Sequence, residues 1–462
     1  MSLYYLLLLF TRFHSDPRVG FPLFNASFVQ VTPVKVLGLF TVFAALVAQR
    51  PADAVPRLKN SLGLVVFAFA AYQILELLVF RLPTPSNSIS ALMSIGMLLV
   101  AMRALVSTEE RMRKTVRVMI LTSAFASLWL YRGHFLQHIS RVGGLEQDPN
   151  YEALTLVTGI PLAVWMARYE TGLWWKRIGA VCVGLMTGGV LLTESRAGLI
   201  AAVVMGLAAV VISKRKMRTL GLLVIALVVG VIVAPAGVTQ RFHSVKFEGA
   251  ATNGDEESSR IHYELLKAGV AMIESYPLTG VGLERFMDVA PDYNRELLQL
   301  SGRKYIAHDT YIQIAAEAGL PVLILFLFLA TAAIMNCREV RRSANAPLAS
   351  MAAAIQLGLI GFGVAALSVS AEYLTPFWML AFLSENLREI AAAIPARGAR
   401  RTDAEAGPAT SPFHEPLTGA AAVQLYQWSK PLVVGGGGLR SDPCAARSIP
   451  ARIPKGVDQL RE

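Results

Sequence analysis

The sequence predicts an all-α protein, a polytopic transmembrane helix bundle of about 11–12 spans with a partly helical loop outside the membrane. Three observations predict this fold class. Of the 462 residues, 54% are hydrophobic and only 16% are charged, whereas a soluble domain carries about a quarter charged residues. Apolar stretches recur along the chain, and many approach the roughly 20 residues that a spanning helix needs. The connections between these stretches also alternate in basic content, as expected for a chain that crosses a membrane repeatedly.

Eleven stretches have the composition of membrane spans. They are Val31–Ala48, Leu62–Phe80, Ile89–Met102, Val116–Leu130, Ala153–Ala167, Ile178–Leu192, Ala197–Ile212, Leu220–Ala234, Tyr311–Met335, Ala349–Val369 and Leu374–Ile394. A further apolar segment, Leu3–Phe10, is too short to cross a bilayer by itself. It lacks the basic region that begins a cleavable signal peptide, so we do not interpret it as one.

Lysine and arginine concentrate in every second connection. The basic connections are Arg50–Lys59, Arg103–Arg117, Arg168–Arg177, Lys214–Arg218 and Arg338–Arg342, and the connections poor in basic residues are Leu82–Ser88, Thr193–Ser195 and Ser370–Tyr373. Short cytoplasmic loops carry an excess of Lys and Arg, so we expect the basic set in the cytoplasm and the other set outside. The net charge of +11 is then a topological signal and does not indicate a nucleic-acid partner.

Two regions interrupt or follow the spans. We expect a membrane domain over residues 1–395, with a large outward loop inserted at 236–308. Within this loop, Ser258 and Ser259 predict a helix N-cap before the amphipathic run Arg260–Glu274. The remainder, 396–462, is rich in Ala, Gly, Pro and Arg and shows no helical period. Its composition predicts a disordered cytoplasmic tail.

The first candidate site residue, Arg196, lies in a tight outward junction between two predicted spans, where it follows Ser195. An arginine at the end of a membrane helix is costly unless it reaches the interface or finds a partner. One interpretation is an interfacial anchor, paired with Glu194. The other is an anion clamp, because the guanidinium fork of donors matches phosphate oxygens.

A second arginine, Arg260, stands near the predicted start of the loop helix. A cation there opposes the helix macrodipole, which favours a role other than stabilising the helix. A phosphate at this position would meet free backbone N–H groups as well as the guanidinium. The alternative is an ordinary solvated arginine.

Where the large loop re-enters the membrane, His308 precedes a helix with polar residues on one face. Asp309, Gln313 and Glu317 follow at helical spacing, so we expect them to point into the bundle and to order the re-entry. His308 at this position is either structural or a general base for a hydroxyl nucleophile. The turn that ends in Asn150 and Tyr151 indicates by itself only a turn.

These segments together resemble the O-antigen ligase and O-antigen polymerase superfamily of bacterial membrane glycan transferases. The similar pieces are Asp148–Tyr151, Ser195–Gly198, Ser259–Arg260, Tyr276–Gly282 and His308–Pro321, in the order and spacing of that family. The resemblance covers roughly residues 150–321. This sequence departs from the family pattern at Asp309, where Asn is more common, and at Val322, where Gly is common.

The resemblance implies a transferase of the bacterial inner membrane, with its large loop in the periplasm, that uses no metal and no cofactor. Its donor would be a glycan on a polyprenyl diphosphate, and its acceptor a hydroxyl of lipid A–core or of another glycan. Carried onto this chain, Arg196 and Arg260 would hold the diphosphate and His308 would orient or deprotonate the acceptor. Ser195, Asn150, Asp309, Gln313 and Glu317 would support them.

Two alternatives remain open. A polymerase of repeat units would differ from a ligase only in its acceptor. A transporter or flippase without covalent chemistry would place functional charges near the bilayer midplane and would use paired, broken helices. The sequence shows no such pair of Gly- or Pro-interrupted helices, and its polar groups gather at the outer ends of the spans, which favours the enzyme.

Overall fold

The computed structural model of the chain describes residues 1–11, 24–26, 29–47, 62–80, 86–238, 254–301, 305–343 and 346–405. The all-α fold class is confirmed, and each of the eleven predicted spans coincides with a helix over most of its length. The helices are α1 Ser2–Thr11, α2 Pro33–Val47, α3 Leu62–Phe80, α4 Ser86–Leu105, α5 Glu109–Tyr131, α6 Pro149–Tyr169, α7 Leu173–Leu192, α8 Arg196–Ile212, α9 Lys216–Val233, α10 Gly254–Ser275, α11 Phe286–Tyr293, α12 Glu296–Ser301, α13 Thr310–Ser343, α14 Ala346–Ala365 and α15 Thr375–Glu405.

One small element was not predicted. A hairpin of two short antiparallel strands, β1 (Phe24–Ala26) and β2 (Val29–Val31), precedes α2, with Phe24 opposite Val31. Three residues a strand are too few to give a readable alternating pattern in the sequence.

Length and composition mark five of the described helices as able to cross a membrane. They are Asn87–Leu105 in α4, Leu173–Leu192 in α7, Lys216–Val233 in α9, Thr310–Arg342 in α13 and Ala346–Ser368 in and after α14. Shorter apolar helices occupy Pro33–Val47, Leu62–Glu76 and Arg196–Ile212. The α9 window buries none of its residues, as expected where a helix faces lipid. The protein is therefore a membrane protein.

The centre of the bundle is formed by long helices that pack side by side. Helix α6 packs against α7 and α14, and α14 also packs against α8 and α13. Large side chains of this core, among them Trp165, Phe362 and Trp378, are fully buried. This packing brings the start of α6, the start of α8 and the start of α13 to the same end of the bundle, which is where the candidate site lies.

The segment between α9 and α13 has its own apolar core. On α10, Ile261, Leu265, Ala268 and Met272 follow the helical period and pack with residues of α11, α12 and the start of α13. A partly helical loop was predicted here, but its predicted N-cap is wrong. The helix begins at Gly254, so Ser258 and Ser259 lie inside its first two turns.

By the contacts between its Cα atoms, the chain falls into two units, Met1–Arg401 and Thr402–Glu462. Helix α15 continues to Glu405, past the predicted domain boundary at residue 395. Most of the predicted disordered tail, residues 406–462, lies outside the described residues.

Candidate functional site

The start of α8 holds Arg196 at the end of the bundle. Ser195 is the N-cap: its Oγ accepts a hydrogen bond from the backbone N–H of Gly198 at 3.2 Å. The same hydroxyl donates to Oδ1 of Asn150 at 2.8 Å. Because Ser195 is fully buried and bonded in both directions, the first turn of α8 has one fixed position, and Arg196 extends from it.

Asn150 lies at the start of α6, where Asp148 is the N-cap. The Asp148 carboxylate accepts from the backbone N–H of Asn150 at 2.7 Å, and Pro149 occupies the first helical position, where a missing N–H costs nothing. Oδ1 of Asn150 also accepts from Nη2 of Arg141 at 3.3 Å. Asn150 therefore links the start of α8 to the loop before α6, which is a supporting position.

Helix α10 meets the start of α8 through the first candidate arginine. Nη2 of Arg196 donates to the hydroxyl of Ser259 at 3.0 Å, across 63 positions of sequence. The neighbouring Arg260 contacts the Glu296 carboxylate at 3.4 Å, and both of these side chains are partly solvent-exposed, 31% and 51%. The segment of α10 that carries Arg260 therefore lies next to Arg196. The Arg260 side chain itself is partly exposed to solvent.

His308 lies in the short loop between residue 305 and α13. Its backbone has φ 52°, in the left-handed region that non-glycine residues adopt uncommonly. Its ring centroid is 4.8 Å from that of His262 on α10 and 6.4 Å from that of Tyr305. Burial lowers the pKa of His308 below its ordinary value of 6.5, while the negative charge of Asp148 acts in the opposite direction. The imidazole is therefore held neutral near pH 7.

Because Ser259 and His262 are three positions apart on α10, they lie on one face of that helix. One contacts Arg196 and the other contacts His308. This face of α10 therefore joins the arginine at the start of α8 to the histidine before α13, although the two are remote in sequence.

The three acidic and amide residues after His308 have separate functions in the structure. Asp309 caps α13, accepting from the backbone N–H groups of Tyr311 at 2.8 Å and Ile312 at 2.9 Å, and burial raises its pKa. Asp309 precedes the helix, so its predicted place on a shared helical face is wrong. A cap residue has extended backbone and does not follow the helical period.

Gln313 and Glu317 are buried in the bundle, as the helical spacing predicts. Oε1 of Gln313 accepts from the backbone N–H of Ala307 at 2.8 Å and from the hydroxyl of Ser370 at 3.0 Å. The first of these bonds fixes the residue next to His308. Gln313 therefore orders the loop that carries the candidate base.

Helix α13 is interrupted at Gly319, which has φ 79°, and a loop over Pro277–Phe286, here called the clamp loop, fills the break. Pro321 has no N–H, so the carbonyl of Glu317 loses its helical partner and instead accepts from Gly282 at 3.0 Å. The Glu317 carboxylate accepts from the N–H groups of Phe286 at 2.9 Å and Glu284 at 3.0 Å. The clamp loop thus replaces the broken helical hydrogen bonds, a feature that the sequence analysis did not predict.

Sequence reasoning missed two residues of this site, His262 and Arg141. His262 could have been found, because it is three positions after Ser259 on a helix already predicted to be amphipathic. Arg141 had no such signal, because it lies in a loop without a period and meets Asn150 only in the fold. Among the residues that the structure describes, no group of three or more His, Cys, Asp or Glu side chains is placed to hold a metal ion.

The arrangement combines guanidinium donors, which suit an anion, with a neutral imidazole that can accept a proton. Residues 181–327 match the family model described as O-antigen ligase. The matched stretch contains Arg196, Arg260 and His308 as well as the clamp loop. No curated protein matches the chain.

Proposed function

Since residues 181–327 of this chain match the O-antigen ligase family model, we propose that it is a membrane glycan transferase of that superfamily, which moves a glycan from a polyprenyl diphosphate to an acceptor hydroxyl. The reaction takes place at the end of the bundle where α6, α8 and α13 begin, which the charge pattern assigns to the periplasmic face of the inner membrane. The acceptor is lipid A–core or another glycan.

One observation carries this proposal: a single helix face contacts both the arginine of α8 and the histidine before α13. Ser259 accepts a hydrogen bond from Arg196 at 3.0 Å, and His262 lies 4.8 Å from His308 between ring centroids. An anion-binding group and a proton acceptor are thereby brought together, and glycan transfer from a diphosphate requires both.

In the proposed donor complex, Arg196 and Arg260 hold the diphosphate. Arg196 is anchored by a buried cap, whereas the ion pair of Arg260 with Glu296 is partly exposed. Exposed ion pairs contribute only about 0–1 kcal/mol, so Arg260 exchanges Glu296 for a phosphate group at little cost. The guanidinium groups then stabilise the charge that develops on the leaving diphosphate.

In the proposed transfer step, the acceptor oxygen attacks the anomeric carbon of the donor sugar. The new carbon–oxygen bond forms as the bond from that carbon to the diphosphate oxygen breaks, and the diphosphate leaves with the electron pair. The proton of the acceptor hydroxyl passes to the imidazole of His308. Burial keeps this imidazole neutral near pH 7, which is the form that accepts a proton.

The supporting residues act on these groups indirectly. Ser195 and Asn150 fix the first turn of α8, and Gln313 fixes the loop of His308. Asp309 caps α13, and Glu317 holds the clamp loop in the helix break. None of these roles requires contact with the substrate.

The test is an assay with the purified full-length protein in lipid nanodiscs. A polyprenyl-diphosphate-linked oligosaccharide is the donor, and the acceptors are lipid A–core in one arm and a second lipid-linked oligosaccharide in the other. We expect a glycosylated acceptor and free polyprenyl diphosphate by mass spectrometry, and the productive arm distinguishes a ligase from a polymerase.

Two controls make this assay decisive. Arg196→Lys should lose most of the product, whereas Arg215→Lys, an exposed arginine in the basic connection before α9, should keep it. Intact donor in both arms, together with movement of the donor across the bilayer, would replace the proposal with the transporter alternative.

A further inference from the structure

Catalytic histidines are usually oriented by a hydrogen bond to the ring nitrogen that does not react. His308 has no such bond: its Nδ1 is enclosed by protein and makes no hydrogen bond with any described group. Its backbone is also in the left-handed region, which restricts the direction in which its side chain can extend. Some other contact must therefore fix the plane of this imidazole.

Two rings are close enough to do so. The centroid of His262 is 4.8 Å from that of His308 with the planes tilted by 43°, and Tyr305 is farther away at 6.4 Å. Aromatic rings in contact prefer offset or tilted arrangements with centroids about 4.5–7 Å apart. His262 is thus the closer ring and the one carried by a regular helix.

The position of His262 on α10 is itself fixed from two sides. The apolar residues Ile261 and Leu265 anchor the helix in the core outside the bundle. One turn before His262, the hydroxyl of Ser259 accepts the hydrogen bond from Arg196. Any movement of α10 relative to α8 therefore moves the ring that touches His308.

We propose that His262 is a positioning residue, whose ring packs against His308 and holds that imidazole in place next to the Arg196–Ser259 contact. The inference rests on the proposed function, since it assigns to His308 the role of proton acceptor. It requires the ring of His262 and not its nitrogen atoms. Phenylalanine should therefore replace it, and a side chain without a ring should not.

A second consequence concerns the environment of His308. The titratable groups around it are Asp148 before α6, Asp309 next to it in the chain, Tyr305 in the same loop and His262 on α10. The His262 ring contributes to the burial that lowers the pKa of His308. Removing that ring admits water and moves the pKa back up, towards its ordinary value, whereas phenylalanine preserves the burial.

The test measures His308 directly, without substrate. Diethyl pyrocarbonate acylates neutral imidazole, so the rate of His308 modification against pH, read by peptide mass spectrometry, follows its protonation. For the full-length protein in nanodiscs we expect His262→Phe to keep the wild-type profile. In His262→Ala and His262→Gln, the acid limb of the profile should move to higher pH.

Turnover gives the second measurement. His262→Phe should keep near-normal turnover, whereas His262→Ala and His262→Gln should lose about 10–100-fold with donor binding unchanged, because a misplaced catalytic group costs rate more than affinity. Tyr263→Ala is the matched control: it removes a ring from the next position of α10, where it lies against the Lys267 ammonium at 4.4 Å, and should alter neither measurement.

Either of two results would overturn the inference. If His262→Phe is as damaging as His262→Ala, the nitrogen atoms matter and ring packing is not the cause. If His262→Gln leaves both the modification profile and turnover unchanged, the contact is incidental; this variant keeps a polar side chain of similar length in case His262→Ala does not fold. A wild-type protein without product would refute the proposed function alone, because the modification profile needs no glycan.

Discussion

The two candidate arginines differ in their surroundings but share the same proposed mode of binding. Arg196 extends from a buried, doubly bonded cap and contacts a buried hydroxyl. Arg260 lies on the more exposed side of α10, next to Glu296. Both are proposed to bind through the guanidinium fork, which lysine lacks although it keeps the charge.

We therefore predict that Arg196→Lys and Arg260→Lys each weaken donor binding and turnover together. His308→Ala should leave donor binding intact and lower turnover by about 10²–10⁴-fold, the usual effect of losing a general base. Donor binding and product formation should be measured side by side on folded protein, with Arg215→Lys as the control for an arginine outside the site.

The opposite result for His308 would also be informative. If His308→Ala lost donor binding as severely as the arginine variants but kept normal turnover at saturating donor, then His308 would be a ligand of the carrier. The proton acceptor would then have to be another group at the same end of the bundle.

The pH dependence of turnover follows from the environment of His308. Burial lowers its pKa below 6.5, so the neutral, proton-accepting form should persist as the pH falls to that value. We predict constant turnover from neutral pH down to about 6.5 and a loss only at lower pH, as the pH falls through the lowered pKa of the imidazole and the ring becomes protonated.

Asp148→Asn tests this assignment, because asparagine caps a helix as well as aspartate does and removes the charge that raises the pKa of His308. The acid limb of the turnover profile should then move to still lower pH. An unchanged limb would mean that a group other than His308 titrates in the profile.

At the scale of elements, the break in α13 and the clamp loop form one unit. The broken helix leaves the carbonyl groups of Ala316 and Glu317 without helical partners, and the N–H groups of Val281 and Gly282 bond to them at 2.8 Å and 3.0 Å. In the opposite direction, from the broken helix to the clamp loop, the N–H of Leu320 donates to the carbonyl oxygen of Pro277. Buried backbone groups must be paired, so the loop and the break require each other.

We predict that Gly319→Ala destabilises the protein by at least about 1–2 kcal/mol, the cost of placing a side chain in the left-handed region. The added Cβ would also lie 2.1 Å from the carbonyl oxygen of Leu278, so the clamp loop would have to move. Thermal unfolding in detergent measures the change.

Gly221→Ala is the matched control, because a Cβ there meets nothing within 4 Å on the exposed helix α9, and alanine favours helix over glycine. That variant should be neutral or slightly more stable. Equal unfolding temperatures for Gly319→Ala and the wild type would show that the break and the clamp loop do not depend on each other.

At the scale of the whole molecule, the alternation of basic connections predicts which ends of the helices face the cytoplasm. The segment from α10 to α12 should lie on the same side of the membrane as the connections poor in basic residues, which is the periplasm, whereas the basic connection between α8 and α9 should be cytoplasmic. The large loop is too long for its own charge to decide its side, so the prediction rests on the short connections around it.

Single-cysteine labelling checks this topology in a background without the native cysteines. Leu298→Cys, at an exposed position of α12, and Asn253→Cys, outside the described residues, should react with a membrane-impermeant thiol reagent in cells with a permeabilised outer membrane. Arg215→Cys, the control on the other side, should react only after lysis. The reverse pattern would invert the predicted orientation and move the proposed reaction to the cytoplasm.

The sequence by itself determined the helices and the fold class. Hydrophobic length is a property of consecutive residues, so each predicted span coincides with a helix over most of its length. The order of the short motifs was sufficient to indicate the superfamily, and the match of residues 181–327 to the O-antigen ligase family model supports it. The roles of Arg196, Arg260 and His308 stay predictions that the variants above can test.

Only the tertiary structure decided how these parts meet. The bond of Arg196 to Ser259 joins residues 63 positions apart, and no local period relates His262 to His308. The start of α10 was wrongly predicted, because the helical period does not specify where a helix begins. The break at Gly319 was missed, because it depends on backbone pairing with the clamp loop. Composition and periodicity specify which segments enter the membrane, whereas contacts between distant segments depend on packing, which those local signals do not contain.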